Sequence, residues 1–385
     1  MPKTILYVAI DQQVPGTLGG SVHVEAVAAG LAAIGHRVHA ATQPGGAWPA
    51  GTVDWHALAP PLGTPLLRWA RRGEVRDLAR RVRADLVIER YYNFGGEGVL
   101  SAGDLGLPAV LEVNAPVVDL PGSAKARLDR ALLFEPLRRW RDRLCRAAAL
   151  IVTPSAVTVP AWLDRDRILE VEWGADVDRF RPGAAGPGRA LVRRDPDRIL
   201  CVFAGAFRTW HGAIHLAEAL ARLHRTGDHR FGGLFVGEGP EREAVERAAR
   251  GIPGVHFTGA VAHGDMPAVL AAADIGVAPF DVARHAPLAL GFYWSPLKIF
   301  EYMATGLPVL APAISRLAGL VESGREGLLY DPADPLGLDT ALRQLGDAGT
   351  RERLGASARA RVVRDFSWQA HCATLSARLE RLRPR

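Results

Sequence analysis

Apolar residues fall into short runs separated by helical patterns. In the first half of the chain the runs lie at 5–10, 38–42, 85–88, 109–113 and 150–153. Between the first two, residues 22–34 repeat apolar positions at helical spacing and end at Gly35. Short apolar runs alternating with helices predict a parallel sheet covered by helices on both faces. The stretch RPGAAGPGRALVRRDPD, 181–197, breaks this rhythm with Gly, Pro and charge, and is expected to be a linker. After it the alternation restarts, with strands expected at 199–203, 233–236, 255–258, 275–278, 309–310 and 328–330. Two doubly wound α/β domains are therefore expected, with ligand at the carboxyl ends of the strands.

Length agrees, because 385 residues exceed the usual single domain. The chain is 48% hydrophobic and 23% charged, which excludes a disordered or coiled-coil chain. No run of eighteen apolar residues suggests a membrane span, and MPKTILYVAI reads as an opening strand rather than a cleavable leader. Cys145, Cys201 and Cys372 are scattered and odd in number, so neither a disulfide framework nor a zinc site is indicated, and a cytoplasmic location is expected.

The net charge is +6, and almost all of the basic residues are Arg; the lysines are Lys3, Lys125 and Lys298. Positive charge concentrates at 68–83 and 125–146. Two readings stay open: solvated helix faces, or a surface for peripheral contact with an anionic membrane. Leu128, Leu132, Leu133 and Leu137 recur there at helical spacing and are expected to face the core. No aromatic interleaving accompanies the arginines, so no nucleic acid partner is expected.

Four clusters carry candidate chemistry. GTLGGS (16–21) follows the first strand, where glycines let backbone approach an anion. GAFRTWHG (205–212) offers Arg208 and His211 three residues apart near a helix start, both able to donate to phosphate. VGEGP (236–240) sets Gly237 and Gly239 around Glu238 after a strand. SPLKIFEYMATGLPV (295–309) puts Lys298 and Glu301 on one helix face, a cation for phosphate and an acid for a ribose diol. The triplets Asp164/Asp166, Asp176/Asp178 and Asp195/Asp197 lack the setting of a metal site, so no metal is expected.

At these residues the sequence resembles glycosyltransferase family 4, over almost the whole chain and in the family's order. VEWGADVDRFRP (171–182), LKIFEYMATGLPVLA (297–311) and the ending DFSWQAHCATL (365–375) add to the four clusters. The resemblance implies the GT-B fold: two facing Rossmann-like domains with parallel sheets and an interdomain cleft. The expected division is an acceptor-side domain at 1–182, a linker at 183–196, a donor-binding domain at 197–365, and a closing helix at 366–385 packed on the first domain.

The implied activity is retaining, metal-independent transfer of a sugar from a nucleoside-diphosphate sugar to a hydroxyl acceptor: a small molecule, a saccharide or a lipid-linked glycan. No cofactor is implied beyond the donor. Carried over by position, Arg208, His211 and Lys298 are the catalytic candidates, and Gly20, Gly205, Gly237, Glu238, Gly239, Leu297 and Glu301 line the donor site. Gly19, His23, Tyr91 and Asn114 are the acceptor-side candidates. Two departures stand out: Tyr293 replaces the first glutamate of the family's E-x7-E pair, and Asn114 stands where many relatives carry His. The competing functions are a sugar-nucleotide epimerase or hydrolase on the same fold, and a non-catalytic nucleotide-sugar binder.

Overall fold

Strand β1 (Thr4–Val14) runs inside a seven-stranded parallel sheet of order β3-β2-β1-β4-β5-β6-β7. In the computed structural model, residues 1–16, 18–120, 123–284 and 290–384 are described; Thr17 of the first glycine turn, Pro121 and Gly122 of the 114–122 loop and Arg385 lie outside them. The other strands are β2 (Arg37–Pro44), β3 (Asp54–Ala57), β4 (Leu86–Arg90), β5 (Ala109–Glu112), β6 (Leu150–Thr153) and β7 (Ile168–Glu170). Helices α1 (Gly19–Ala33), α2 (Arg72–Val82), α3 (Glu97–Asp104), α4 (Ala124–Ala131) and α5 (Pro136–Ala147) connect them.

The two-residue period of β1 sorts its side chains between two cores. Ile5, Tyr7 and Ala9 pack with Val24, Val27 and Leu31 of α1 and with Cys372, Leu375 and Leu379 of the C-terminal helix. Leu6, Val8 and Ile10 pack with Val75 and Leu78 of α2, Val99 of α3 and Leu144 of α5. Both faces are dry, which is why β1 reads as a continuous apolar run.

The second unit has a six-stranded parallel sheet of order β10-β9-β8-β11-β12-β13. Its strands are β8 (Ile199–Ala204), β9 (Phe231–Val236), β10 (Val255–Gly259), β11 (Ile275–Val277), β12 (Val309–Pro312) and β13 (Gly327–Tyr330). Its helices are α6 (Ala213–Arg225), α7 (Arg242–Ala248), α8 (Met266–Leu270), α9 (Leu297–Ala304), α10 (Leu317–Leu320), α11 (Gly337–Gln344) and α12 (Ala348–Asp365). The last helix, α13 (Trp368–Leu379), is the C-terminal helix of the first unit.

The chain passes from one unit to the other after Trp173, and the first unit also takes in Tyr293–Ser295 and Trp368–Arg385. The expected boundary at 182 is thus nine residues late. The segment expected as a linker at 183–196 lies inside the second unit instead, where a 3-10 turn at Pro187–Leu191 packs on α8. A Cβ on Gly188 would stand 2.3 Å from the Asp265 carbonyl oxygen, so glycine here signals close packing rather than slack. Arg359 of α12 binds the 174–182 segment into the same unit, donating to the carbonyls of Val177 (2.9 Å), Phe180 (2.8 Å) and Ala304 (2.7 Å).

Helix α9 has an exacting seat. The Tyr302 hydroxyl accepts from the Ala204 N–H of β8 at 2.8 Å, and a Cβ on Gly276 of β11 would stand 2.4 Å from the Tyr302 ring. No helix among the described residues is long and apolar enough to cross a membrane.

A comparable close approach joins α1 to α13, where a Cβ on Gly30 would meet Cys372 Sγ at 2.4 Å. Gly103, also helical, has open space around the same position. Both Gly→Ala changes gain the same helix propensity, so their difference isolates the clash. Gly30→Ala is expected to be less stable than Gly103→Ala by about 1–3 kcal/mol, the usual cost of overpacking. Urea unfolding of the two variants measures this; equal midpoints would show that the α1–α13 contact tolerates a methyl group.

Candidate active site

The carboxyl ends of β8 and β9 bring two glycine turns together. Gly205 has φ +138°, Gly237 +127° and Gly239 +156°, conformations that side chains resist. A Cβ on Gly237 would lie 2.1 Å from the Gly205 carbonyl oxygen, and one on Gly239 2.7 Å from the Phe207 nitrogen. The turns are also tied by Phe207 N–H, which donates to the Glu238 carbonyl at 2.9 Å.

Lys298, in the first turn of α9, reaches this edge. A Cβ on Gly205 would stand 3.0 Å from Lys298 Nζ and 3.7 Å from His211 Nδ1, so the two side chains flank one glycine. The Lys298 ammonium lies 4.2 Å from the Phe203 ring centroid and 5.2 Å from that of Phe280. Among the described residues Nζ is buried and has no hydrogen-bond partner. Burial pushes this amine down to about 7, against the opposing pull of the Glu301 carboxylate. His211 Nδ1 meets the Ala206 carbonyl at 2.6 Å; a carbonyl only accepts, so Nδ1 carries the proton.

One turn beyond Lys298, Glu301 lies 3.4 Å from His263 Nε2, and the His263 ring packs against Phe180. His263 escaped the sequence reading. Its signal was available, because it follows VHFTGAV in the loop after β10, at the same sheet edge. Leu297 opens α9 and is half-buried. Arg208, by contrast, is exposed, with its guanidinium over Trp210 at 5.7 Å. Glu238 is engaged by Arg242, which also holds Glu246 at 2.7 Å.

In the first unit, Gly19 and Gly20 form the opening turn of α1 rather than a loop before it. A Cβ on Gly20 would collide with the Gln12 amide and approach Arg90, whereas Gly19 faces open space. His23 is fully buried, contrary to its expected acceptor-side role. It pairs with Glu112, which also accepts from the Tyr7 hydroxyl, and its ring lies 4.2 Å from that of Trp173. Burial alone would raise the Glu112 carboxyl, but His23, Arg90 and Tyr7 outweigh it and hold the group at about 2. Tyr91 is likewise a core residue, its hydroxyl donating to Asn93 at 2.9 Å, so it offers no stacking face. Asn114 accepts from the Trp173 indole N–H at 2.9 Å. Tyr293 is half-buried and packs edge-on to Trp294.

Residues 18–179 match the model of Glycosyltransferase Family 4, and residues 198–347 match that of Glycosyl transferases group 1. The chain belongs to glycosyltransferase family 4. It is 27% identical over 309 residues to the D-inositol 3-phosphate glycosyltransferase of a Nocardioides species, covering 74% of this chain and 64% of that relative. In fold it resembles sucrose-phosphate synthase from Thermosynechococcus elongatus, at 18% identity and TM-score 0.73 over 98% of both chains. Anabaena HepE, solved in complex with UDP and glucose, aligns with TM-score 0.69 at 16% identity, over 99% of this chain and all of that one. The fold is GT-B, with one parallel-sheet unit for each half.

Within this family 4 chain the basic stretches are less uniform than their composition suggests. Arg68 is fully buried, paired with Asp11 and with Glu97 at 2.5 Å. Arg141 is buried as well, 2.6 Å from Asp119. Both are internal counter-ions rather than surface charge.

His371 of α13 gives a test of the buried polar layer. Its Nδ1 donates to the Glu172 carbonyl at 2.7 Å, and burial lowers its pKa to about 3. The unfolded chain protonates this imidazole near 6.5, so between about 6.5 and 3 the unfolded state holds the extra proton and stability falls as pH falls. The slope approaches ~1.4 kcal/mol per pH unit in that window. His371→Phe is expected to flatten it, as read from urea midpoints between pH 4 and 7; an unchanged slope would assign the acid sensitivity elsewhere.

Proposed function

We propose that the chain moves a sugar from a nucleoside diphosphate to a hydroxyl acceptor, with retention at the anomeric carbon and without a metal ion. The observation that carries this reading is Lys298: a buried ammonium without a hydrogen-bond partner, beside Gly205, at a glycine-lined strand edge. A diphosphate oxygen supplies the missing acceptor. Cleavage of the glycosyl–phosphate bond builds negative charge on that oxygen, and a cation already in place stabilises it where water is excluded. His211 flanks the same glycine, and with its Nδ1–H engaged by the Ala206 carbonyl its Nε2 would be the nitrogen to donate to a diphosphate when the ring is protonated. Glu301 would accept from both hydroxyls of a ribose, a role that its contact with His263 at 3.4 Å supports by orienting one carboxylate oxygen.

Retention follows if the acceptor oxygen enters from the face that the diphosphate leaves. The bond from the anomeric carbon to phosphate breaks, the bond to the acceptor oxygen forms, and the acceptor's proton passes to the departing phosphate. No side-chain base is then needed. Metal independence is supported by the charge arrangement, in which Lys298 and not a carboxylate pair stands at the glycine edge. The UDP complex of Anabaena HepE, a neighbour in fold, agrees with a nucleotide donor. The acceptor would be held by the first unit, whose candidate contacts reduce to Gly19 and Asn114 now that His23 and Tyr91 are buried.

Incubation with a panel of nucleoside-diphosphate sugars, with and without hydroxyl acceptors, should release free nucleoside diphosphate, and the anomeric configuration of the product is read by NMR. Activity abolished by EDTA and restored by Mg²⁺ or Mn²⁺ would overturn the metal-free route. Donor consumption without transfer would point to a hydrolase, interconversion of donor sugars to an epimerase, and binding alone to a nucleotide-sugar binder. Lys298→Ala should lower kcat by about 10²-fold, as loss of an oxyanion donor does. Glu301→Ala should chiefly raise the donor KM.

A pH test follows from Lys298. Its amine is half-deprotonated near 7 in the free protein and must be charged to bind diphosphate, so binding takes up a proton. Donor affinity should therefore weaken as pH rises from 7 to 9, and Lys298→Ala should remove that dependence in isothermal titration.

A further inference from the structure

We propose that Leu132, Leu133 and Phe134 form a wedge that inserts into an anionic lipid bilayer. These residues join α4 to α5. Leu133 is 67% exposed and Phe134 77%, and Leu128 and Leu132 are each about half exposed. The sequence pattern placed Leu128, Leu132 and Leu133 in the core, and the structure turns all three outward.

The conformation that does this is costly. Leu133, Phe134 and Glu135 have φ of +52°, +53° and +47° in succession, a left-handed run that L side chains other than Asn and Asp avoid. The base of the loop is clamped to hold it. The buried Asp129 carboxylate accepts from the N–H groups of Leu137 (2.7 Å) and Arg138 (2.8 Å), which caps α5 from within α4. Arg141, itself buried, backs Asp129 at 3.6 Å. A clamped, strained loop that presents large apolar side chains to water calls for an apolar environment to receive them.

Charge identifies that environment. Arg127 and Arg130 on α4 and Arg138 and Arg139 on α5 are exposed on the two helices that flank the tip, whereas Asp129 is buried; Glu135 pairs with Arg138 at 2.9 Å. An apolar point flanked by exposed guanidinium groups matches an anionic bilayer, with acyl chains for the point and phosphates for the guanidinium groups. A second copy of this chain would set arginine against arginine. The surface is independent of the transfer chemistry, so failure of one reading leaves the other standing.

The test is co-sedimentation with vesicles of phosphatidylglycerol and phosphatidylcholine, compared with phosphatidylcholine alone. The unmodified protein should bind the anionic vesicles and release them at high salt. Leu133→Asn/Phe134→Asn is the informative variant, because Asn tolerates the left-handed conformation and the loop should keep its shape. It should bind anionic vesicles at least ten-fold more weakly, with unchanged turnover of a soluble acceptor. Arg127→Gln/Arg130→Gln should lose the salt-sensitive part. The proposal is overturned if the unmodified protein does not bind anionic vesicles, or if the Asn variant binds them equally well. It is also overturned if the Asn variant instead converts a dimer to a monomer in light scattering, which would make the tip a protein interface.

Discussion

The seat of α9 against β8 and β11 governs the polar chemistry of the second unit. Tyr302 bridges the helix to the strand backbone, and Gly276 leaves room for its ring. With that helix fixed, Lys298 has little choice of position: it lies over Phe203 and Phe280 beside Gly205. Cation–π attraction offsets part of the lost hydration but does not replace hydrogen bonds. The amine is consequently held close to neutrality, able to take a proton when an anion arrives. A lysine with a strong internal carboxylate partner would keep its charge and offer less to a ligand.

The first unit treats charge in the opposite way. Arg68 is buried at the carboxyl ends of β1 and β4, saturated by Asp11, Glu97 and the Arg90 carbonyl. Glu89 turns back to accept from the N–H groups of Gly96, Gly98 and Val99, capping α3, which has no side-chain cap of its own. Groups of this kind hold an architecture together, and removing one partner leaves another charge stranded, at a typical cost of about 3–5 kcal/mol. The contrast separates structural charge from charge available to a ligand better than composition does.

The same contrast explains what the sequence could reveal. The central strands were legible because both faces are dry and their residues form unbroken apolar runs. The edge strands β3 (DWHA) and β7 (ILE) were not, being short and only partly buried. The glycines at 205, 237 and 239 were readable as a group because close backbone approach excludes every other residue. His23 and Tyr91 misled, since a polar residue near a strand end reads as a site whether its partner is a substrate or a buried Glu112 or Asn93. Arg68 misled for the same reason in reverse, as its counter-ions lie 57, 21 and 29 residues away in sequence, at Asp11, Glu89 and Glu97. Pairings at that range leave no local pattern.

Asn114 owes its orientation to a chain of buried contacts. The Trp173 indole N–H can only donate, so the amide atom facing it must be Oδ1, and the Nδ2 end points away as a donor. Trp173 is itself held on three sides: its ring rests on His23, its indole meets Asn114, and its backbone N–H donates to Ser295 Oγ at 2.9 Å. Ser295 in turn donates to the Glu172 carboxylate at 2.6 Å, and Glu172 also receives His371 through its carbonyl. The amide thus inherits its orientation from a buried chain that runs back through His23 and Glu112 to Tyr7 on β1. Its Nδ2 is thereby left as a buried donor of fixed direction, on a side chain that does not titrate.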